Sequence, residues 1–418
     1  MNIAVYHNLI SGGNKKSLYH TVQGFKRMGH RVTVYNLNIS DESFAPLHEV
    51  ADEVKTFHVP APSFLRPFKL LAPLFQPLQL IPLWRVNRRI ALMINRSDHD
   101  FVWVANCFVT QHPLILRYLK KPHVLYTAEH LRQYYDKVLW KYPASGYNKG
   151  GIVPTFKQLC LHSLVALRAQ VDQWAIARTN HILCNSYFTA ESILRFYAKK
   201  ARPLYLGVDV NSYCDQHLLR DNVVLSIGSF SPLKGHDLVL EAIAQIPRPQ
   251  RPKLVIVADR VDKLSAKLYC ETYARNNDIA IEIRMGISEK ALIETYNRAK
   301  LTVCANILEP FGMVPHESMA CGTPVVAVRE GGFRESVIDG ETGLLVDRDA
   351  RSIAQAIEHL LRHTELLQKL SYNSVRYVQE KCTHGHYFAN LEREIKAVAV
   401  SALPQGKQVL CSVTKLIR

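Results

Sequence analysis

The sequence contains no uncharged apolar run of about eighteen residues, the length that a membrane-spanning helix needs. Its opening, M-N-I-A-V-Y-H, goes straight into a strand and lacks the basic-then-apolar layout of a signal peptide. These two absences predict a cytoplasmic chain that does not cross a bilayer. Nine cysteines are scattered without a C-x-x-C pair and without histidine partners at zinc spacing, which argues for reduced thiols and against a disulfide frame. No helix-turn-helix, zinc-finger or RNA-binding signature accompanies the formal charge of +16, so nucleic acid is not the expected partner.

Acidic residues are missing altogether from Val54 to Ser97, where Lys55, Arg66, Lys69, Arg85, Arg88, Arg89 and Arg96 are interleaved with Phe64, Phe68, Phe75 and Trp84. Six prolines between Pro60 and Pro82 rule out a spanning helix there. Residues 1–200 hold 25 Lys/Arg against 11 Asp/Glu, while residues 201–418 hold 27 against 25, so the basic excess belongs to the first half. Aromatic and basic residues together predict that residues 54–97 dock on an anionic membrane surface and present the site to a lipid-linked acceptor.

What is present points to an α/β protein. A length of 418 residues with 48% apolar content suits two or three domains with substantial cores. Short apolar strands alternate with helical patterns: Ile3 to Tyr6, Arg31 to Tyr35, Phe101 to Ala105 and His123 to Tyr126, then Val223 to Ile227, Lys253 to Val257, Ala280 to Arg284, Leu301 to Ala305 and Pro324 to Val328. That alternation predicts parallel sheets with crossover helices. Two Rossmann-like domains are expected, 1–204 and 205–384, with a hinge at Tyr205 to Asp209 and a tail, 385–418, whose helix returns to the first domain.

The most informative stretch is Glu309 to Gly322, E-P-F-G-M-V-P-H-E-S-M-A-C-G. Pro310 and Gly312 break regular structure after an apolar strand, and a helix follows from Val314, so the Phe311 to Val314 amides should form an anion site at a helix N-terminus. Glu309 before the turn and Glu317 about one turn into the helix would flank the anion, as acceptors suited to a hydroxyl-rich ligand. Lys234, after a strand and a short Ser-Pro loop, can reach a phosphate as a mobile point charge. Gly12 and Gly13 after the first strand let backbone approach a ligand or close a tight turn.

Together with G-T-P-V-V-A at Gly322, Gly331-Gly332, D-G-E-T-G-L-L-V at Asp339, G-S-F-S-P-L-K-G at Gly228 and L-G-V-D at Leu206, this segment resembles the donor site of the family 4 retaining glycosyltransferases. The resemblance implies the GT-B architecture, two Rossmann-like domains facing across a cleft, and a nucleotide-sugar donor. It implies that Glu317 takes the ribose hydroxyls and Glu309 the sugar hydroxyls, while the Phe311, Gly312 and Met313 amides meet sugar and diphosphate. A first-domain histidine touching the transferred sugar would be His130, or Glu129 would stand there if the register differs by one. No metal or other cofactor is needed in this scheme, since Lys234 and helix dipoles take the charge of the leaving diphosphate. The implied chemistry is a same-face displacement onto a lipid-linked or saccharide acceptor.

The chain departs from the pattern in two places. Ser229 stands where the family usually has an arginine, which removes a bidentate phosphate clamp and leaves the charge to another basic residue or to Ser229 and backbone amides. Ala258-Asp259-Arg260 replaces a glycine-rich turn, so the base is expected against backbone near Met285-Gly286-Ile287, with uridine, guanosine and adenosine all open. The triplets Asp98-His99-Asp100 and Asp347-Arg348-Asp349 are poorly placed for a metal site and are expected as solvated turn acids. A nucleotide-sugar isomerase and a non-catalytic binding protein of the same fold are the rival readings.

Overall fold

The structure, a computed structural model, describes residues 1–60, 80–136 and 155–401. Its first sheet holds β1 (Asn2–Asn8), β2 (Arg31–Leu37), β3 (Glu53–Phe57), β4 (Phe101–Cys107), β5 (His123–Thr127), β6 (Ile182–Cys184) and β7 (Arg202–Pro203), in the order β3-β2-β1-β4-β5-β6-β7. The second holds β8 (Val223–Ile227), β9 (Lys253–Ala258), β10 (Ile281–Met285), β11 (Leu301–Cys304), β12 (Val325–Val328) and β13 (Gly343–Val346), in the order β10-β9-β8-β11-β12-β13. Neighbours within both sheets pair in parallel.

Parallel strands covered by helices on both faces are apolar throughout, which is why the central ones stand out in the sequence. Along β1, Ala4 and Tyr6 enter the core on one face while Ile3 and Val5 enter the core on the other. The strands absent from the sequence prediction, β3, β6, β7 and β13, lie at or next to sheet edges. β3 is half-exposed and β7 has two residues, so neither shows an apolar run.

In each sheet the strand order reverses once, between β1 and β4 and between β8 and β11. Ligands of open α/β sheets bind beyond the carboxyl ends of strands at such a switch point. The loops after β1, β8 and β11 carry Gly12 and Gly13, then Ser229 and Lys234, then Glu309.

The domains are joined twice. Val208 donates its amide to the Cys382 carbonyl at 2.8 Å, and the His384 amide donates to Val208 at 3.0 Å. The His384–Ser401 helix then packs on the first domain, burying Tyr387, Leu391, Ile395 and Val398 against Leu18, Val22 and Phe25 of the Gly13–Arg27 helix and its neighbours. Each such side chain contributes about 1.5–3 kcal/mol of burial before its ordering cost. Tyr387 Oη also lies 2.6 Å from Thr21 Oγ1.

Among the described residues no helix is long and apolar enough to cross a membrane, and Cys107, Cys184, Cys214, Cys270, Cys304, Cys321 and Cys382 are free. Of the acid-free stretch, Phe64, Arg66, Phe68, Lys69 and Phe75 lie outside the described residues. Its second part is the Leu80–Arg96 helix, with Leu83, Ile90, Ala91 and Ile94 buried. Arg85, Arg88, Arg89 and Arg96 line an outward groove with Leu92 and Met93. Trp84, expected at the level of lipid headgroups, is half-buried and lines the same groove, with its indole N–H donated to Tyr118 Oη at 2.5 Å.

Candidate functional site

The second domain supplies a charged pair at its switch point. After β8, the short turn Pro232–Lys234 is capped by Ser231, and the Lys234 side chain lies across Gly228, where an added Cβ would come within 2.9 Å of it. The Lys234 ammonium donates to Glu309 Oε2 at 3.1 Å, and Asn306 Nδ2 donates to the same oxygen at 2.5 Å. Burial opposes ionisation of Glu309, but Lys234, Asn306 and Arg132 outweigh it and hold the carboxyl below its ordinary value. The loop is braced by Arg348, which donates to the Ala305 carbonyl at 2.9 Å and to Glu330 at 2.8 Å.

The turn that follows leads into the Met313–Ala320 helix, whose cap, Gly312 at φ 91°, contributes no side-chain bond. A side chain at Gly312 would meet the Phe333 ring at 2.7 Å, so both backbone conformation and space require glycine there. The Phe311 ring is buried against His316 and near Tyr205, which anchors the turn and leaves the first-turn amides without a side-chain cap. The next residues are Met313 and Val314, the first two of that helix.

Glu317 belongs to a separate network. Its carboxylate accepts from Tyr296 Oη at 3.1 Å and lies 3.5 Å from the Lys16 ammonium, which reaches across from the first domain. Lys16 also bonds Glu289 at 2.8 Å and Tyr213 Oη at 3.1 Å. Burial lowers the affinity of Lys16 for its proton, but Glu317, Tyr213 and Glu289 outweigh that and raise its pKa.

The first domain closes the other side. Gly12, at φ 136°, caps the Gly13–Arg27 helix and faces Arg260, whose Nη1 donates to the Ser11 carbonyl at 3.0 Å. Ser229 donates to Asp262 at 2.6 Å, and Gly286 follows β10 with open space where its side chain would be. At the end of β5, His130 Nε2 lies 2.6 Å from Asp136 and its ring packs on Phe196. Glu129 is half-buried, and burial raises its pKa, with Arg132 opposing and Glu309 reinforcing the shift. Arg132 donates to the Ile307 carbonyl at 2.8 Å, which ties this loop to the one carrying Glu309.

The structure therefore brings Lys234 and Glu309 into direct contact and keeps Glu317 on its own partners. His130 is directed to Asp136, while Glu129 feels the charges of Glu309 and Lys234. Lys16, Arg132 and Asp262 escaped the sequence reading, since each lies outside the quoted motifs, and Arg260 entered it only as part of the segment that replaces a glycine-rich turn; the position of Lys16, four residues after Gly12, was the available signal for it. Asp349 caps the Ala350–Arg362 helix through the Ser352 amide at 2.8 Å, and Asp100 accepts from the Asn2 amide at 2.7 Å, so one acid of each D-x-D triplet has a backbone role.

The sequence profile described as glycosyl transferases group 1 matches residues 215–376. A D-inositol 3-phosphate glycosyltransferase of Geodermatophilus obscurus is 32% identical over 224 residues, 48% of this chain and 50% of that protein. One of Mycobacterium sp. (strain JLS) is 30% identical over 219 residues, 47% and 48% of the two chains, so the chain spans about half the length of these curated relatives. Among solved structures, sucrose-phosphate synthase from Thermosynechococcus elongatus superposes with a TM-score of 0.71 at 18% identity, covering 96% of this chain and 100% of that one. Anabaena HepE in complex with UDP superposes with a TM-score of 0.72 at 15% identity, covering 95% and 100%. Residues 215–376 of the chain thus match the glycosyl transferases group 1 profile, and the chain takes a GT-B fold that extends through both domains.

Proposed function

We propose that the chain is a metal-independent, retaining glycosyltransferase of the family 4 type. It moves a hexose-type sugar from a nucleotide diphosphate to a lipid-linked or glycan acceptor in surface polysaccharide or glycolipid synthesis. The observation that carries this reading is the 3.1 Å Lys234–Glu309 pair on the two switch-point loops, beside a helix N-terminus that no side chain caps. Crystals of HepE with UDP and with UDP-glucose support a nucleotide-sugar donor for a chain of this fold.

In this scheme Lys234 turns from Glu309 to the diphosphate while Glu309 accepts from a sugar hydroxyl. The bond from the anomeric carbon to the diphosphate oxygen breaks, and its electron pair leaves with the diphosphate. Lys234 and the Met313–Ala320 helix dipole stabilise that charge. The acceptor oxygen attacks the same face, and its proton passes to the departing phosphate oxygen. Glu129 faces the transferred sugar, and His130 holds Asp136 and Arg132 in place. The groove of Arg85, Arg88, Arg89 and Arg96 docks on an anionic membrane that carries the acceptor.

A thermal-shift panel of UDP, GDP, ADP and their sugars tests the reading. A nucleotide at a hundred times its dissociation constant should add roughly 2.7 kcal/mol of stability, with EDTA without effect. Sugar should leave the donor only when an acceptor is present. Dependence on manganese or magnesium, or conversion of donor alone into an isomer, defeats the proposal.

A further inference from the structure

The loop between β9 and the Leu264–Asn276 helix holds a guanidinium that the transfer scheme has not used. Arg260 is fixed on one edge. Its Nε donates to Asp262 Oδ1 at 2.7 Å and its Nη1 to the Ser11 carbonyl at 3.0 Å, with Asp259 Oδ2 3.3 Å from the same nitrogen. Nη2 donates to no group among the described residues, and the side chain is 41% exposed. Asp262, which orients Arg260, is itself held by Ser229 Oγ at 2.6 Å. The backbone is locked as well, since the Phe230 amide donates to the Arg260 carbonyl at 3.0 Å.

Three elements that line the cleft therefore meet at this side chain. The first is the glycine loop of the first domain, where the nearest heavy atom to a side chain built at Gly12 would be Arg260 Nη1 at 3.5 Å. The second is the Gly228 to Gly235 loop, whose Ser229 end grips Asp262 and whose Lys234 end reaches Glu309. The third is the Asp259 to Lys263 loop itself. Lys234 at one end of that loop and Arg260, linked to its other end through Asp262 and Ser229, are thus held by one short segment. A diphosphate carries charge on two phosphorus centres, and two cations so placed can each take one of them. A guanidinium with a free edge can fork onto two phosphate oxygens, which an ammonium cannot.

We infer that Arg260 is the arginine that clamps the donor diphosphate in this chain, working from the β9 loop in place of the position occupied by Ser229, with Asp262 as its positioning residue. The inference rests on the donor-site reading above. It also makes domain closure and phosphate binding one event, because the guanidinium that bonds Ser11 of the first domain is the one that meets the phosphate.

Isothermal titration with UDP, GDP and ADP identifies the nucleotide, and that diphosphate is then compared with its own nucleoside on Arg260→Ala, Arg260→Lys and the double variant Ser229→Arg/Arg260→Ala. Arg260→Ala is expected to weaken the diphosphate at least tenfold and the nucleoside less than twofold. Arg260→Lys should keep part of the affinity, and the double variant should recover most of it, since Asp262 can orient an arginine from either position. Thermal melting checks that each variant is folded. Unchanged diphosphate affinity in Arg260→Ala, or equal losses for diphosphate and nucleoside, overturns the assignment while leaving the donor site standing. A wild-type chain that binds none of the three diphosphates overturns the donor site and this assignment with it.

Discussion

The two acids of the E-P-F-G-M-V-P-H-E segment sit in different chemistry, and that difference can be measured. Glu309 shares its carboxylate with Lys234 and Asn306, whereas Glu317 is held by Tyr296 and approached by Lys16. Removing a group that pairs with a ligand in a closed cleft costs roughly 1–3 kcal/mol, about a 5- to 150-fold effect. Glu317→Ala should therefore weaken free nucleotide and nucleotide sugar alike. Glu309→Ala should spare free nucleotide and lower turnover of the sugar. Steady-state kinetics beside nucleotide titration separates the two, and equal behaviour of both variants contradicts the assigned roles. The same logic applies after β5. Glu129→Gln should lower kcat with little change in melting temperature, whereas His130→Gln should lower the melting temperature by loosening Asp136 and Arg132. The reverse pattern would return the sugar contact to His130.

At the level of elements, the Leu80–Arg96 helix shows how a sequence signal can be right in composition and incomplete in geometry. Its acid-free character was evident from the residues, but the indole N–H of Trp84 is taken by Tyr118, and Trp84 lines one groove with Arg85, Arg88, Arg89, Leu92 and Met93. Each arginine near an anionic surface contributes about 1 kcal/mol, an effect that salt screens. Co-sedimentation should therefore be strong with phosphatidylglycerol-rich liposomes, weak with neutral ones, and reduced by salt. The combined change of Arg85, Arg88 and Arg89 to Glu should abolish it. Binding that ignores lipid charge, or that survives the triple change at low salt, rules out the docking face.

For the whole molecule, buried histidines set an acid limit. His7, His20, His236 and His316 are each lowered to about 4, chiefly by burial, in every case against partners that partly offset it. Their unfolded value is near 6.5, so between pH 6.5 and 4 the unfolded chain binds more protons than the folded one, and stability falls as pH falls through that window. Each such histidine contributes up to about 1.4 kcal/mol per pH unit there. Glu129, whose carboxyl is raised by burial, works in the opposite direction as a single group. Urea midpoints measured at pH 7.5, 6 and 5 should decline, most steeply below 6. A midpoint that is constant from 7.5 to 5 means that these histidines are not held neutral by the fold.

The sequence by itself determined the central strands and the turn that leads into the Met313–Ala320 helix. Strands buried on both faces must be apolar throughout, and a turn into a helix needs Pro310 and Gly312 where they stand, so both leave local marks. It also determined that Ser229 could not act as a charged clamp. Tertiary structure alone decided what meets what across the cleft. Lys16 reaches Glu317 and Arg132 reaches Ile307 over separations of 301 and 175 residues, and no local pattern encodes such pairings. The choice between His130 and Glu129 was open for the same reason. One residue of register after β5 decides which side chain meets Asp136, and only tertiary packing, such as that of His130 on Phe196, specifies that register.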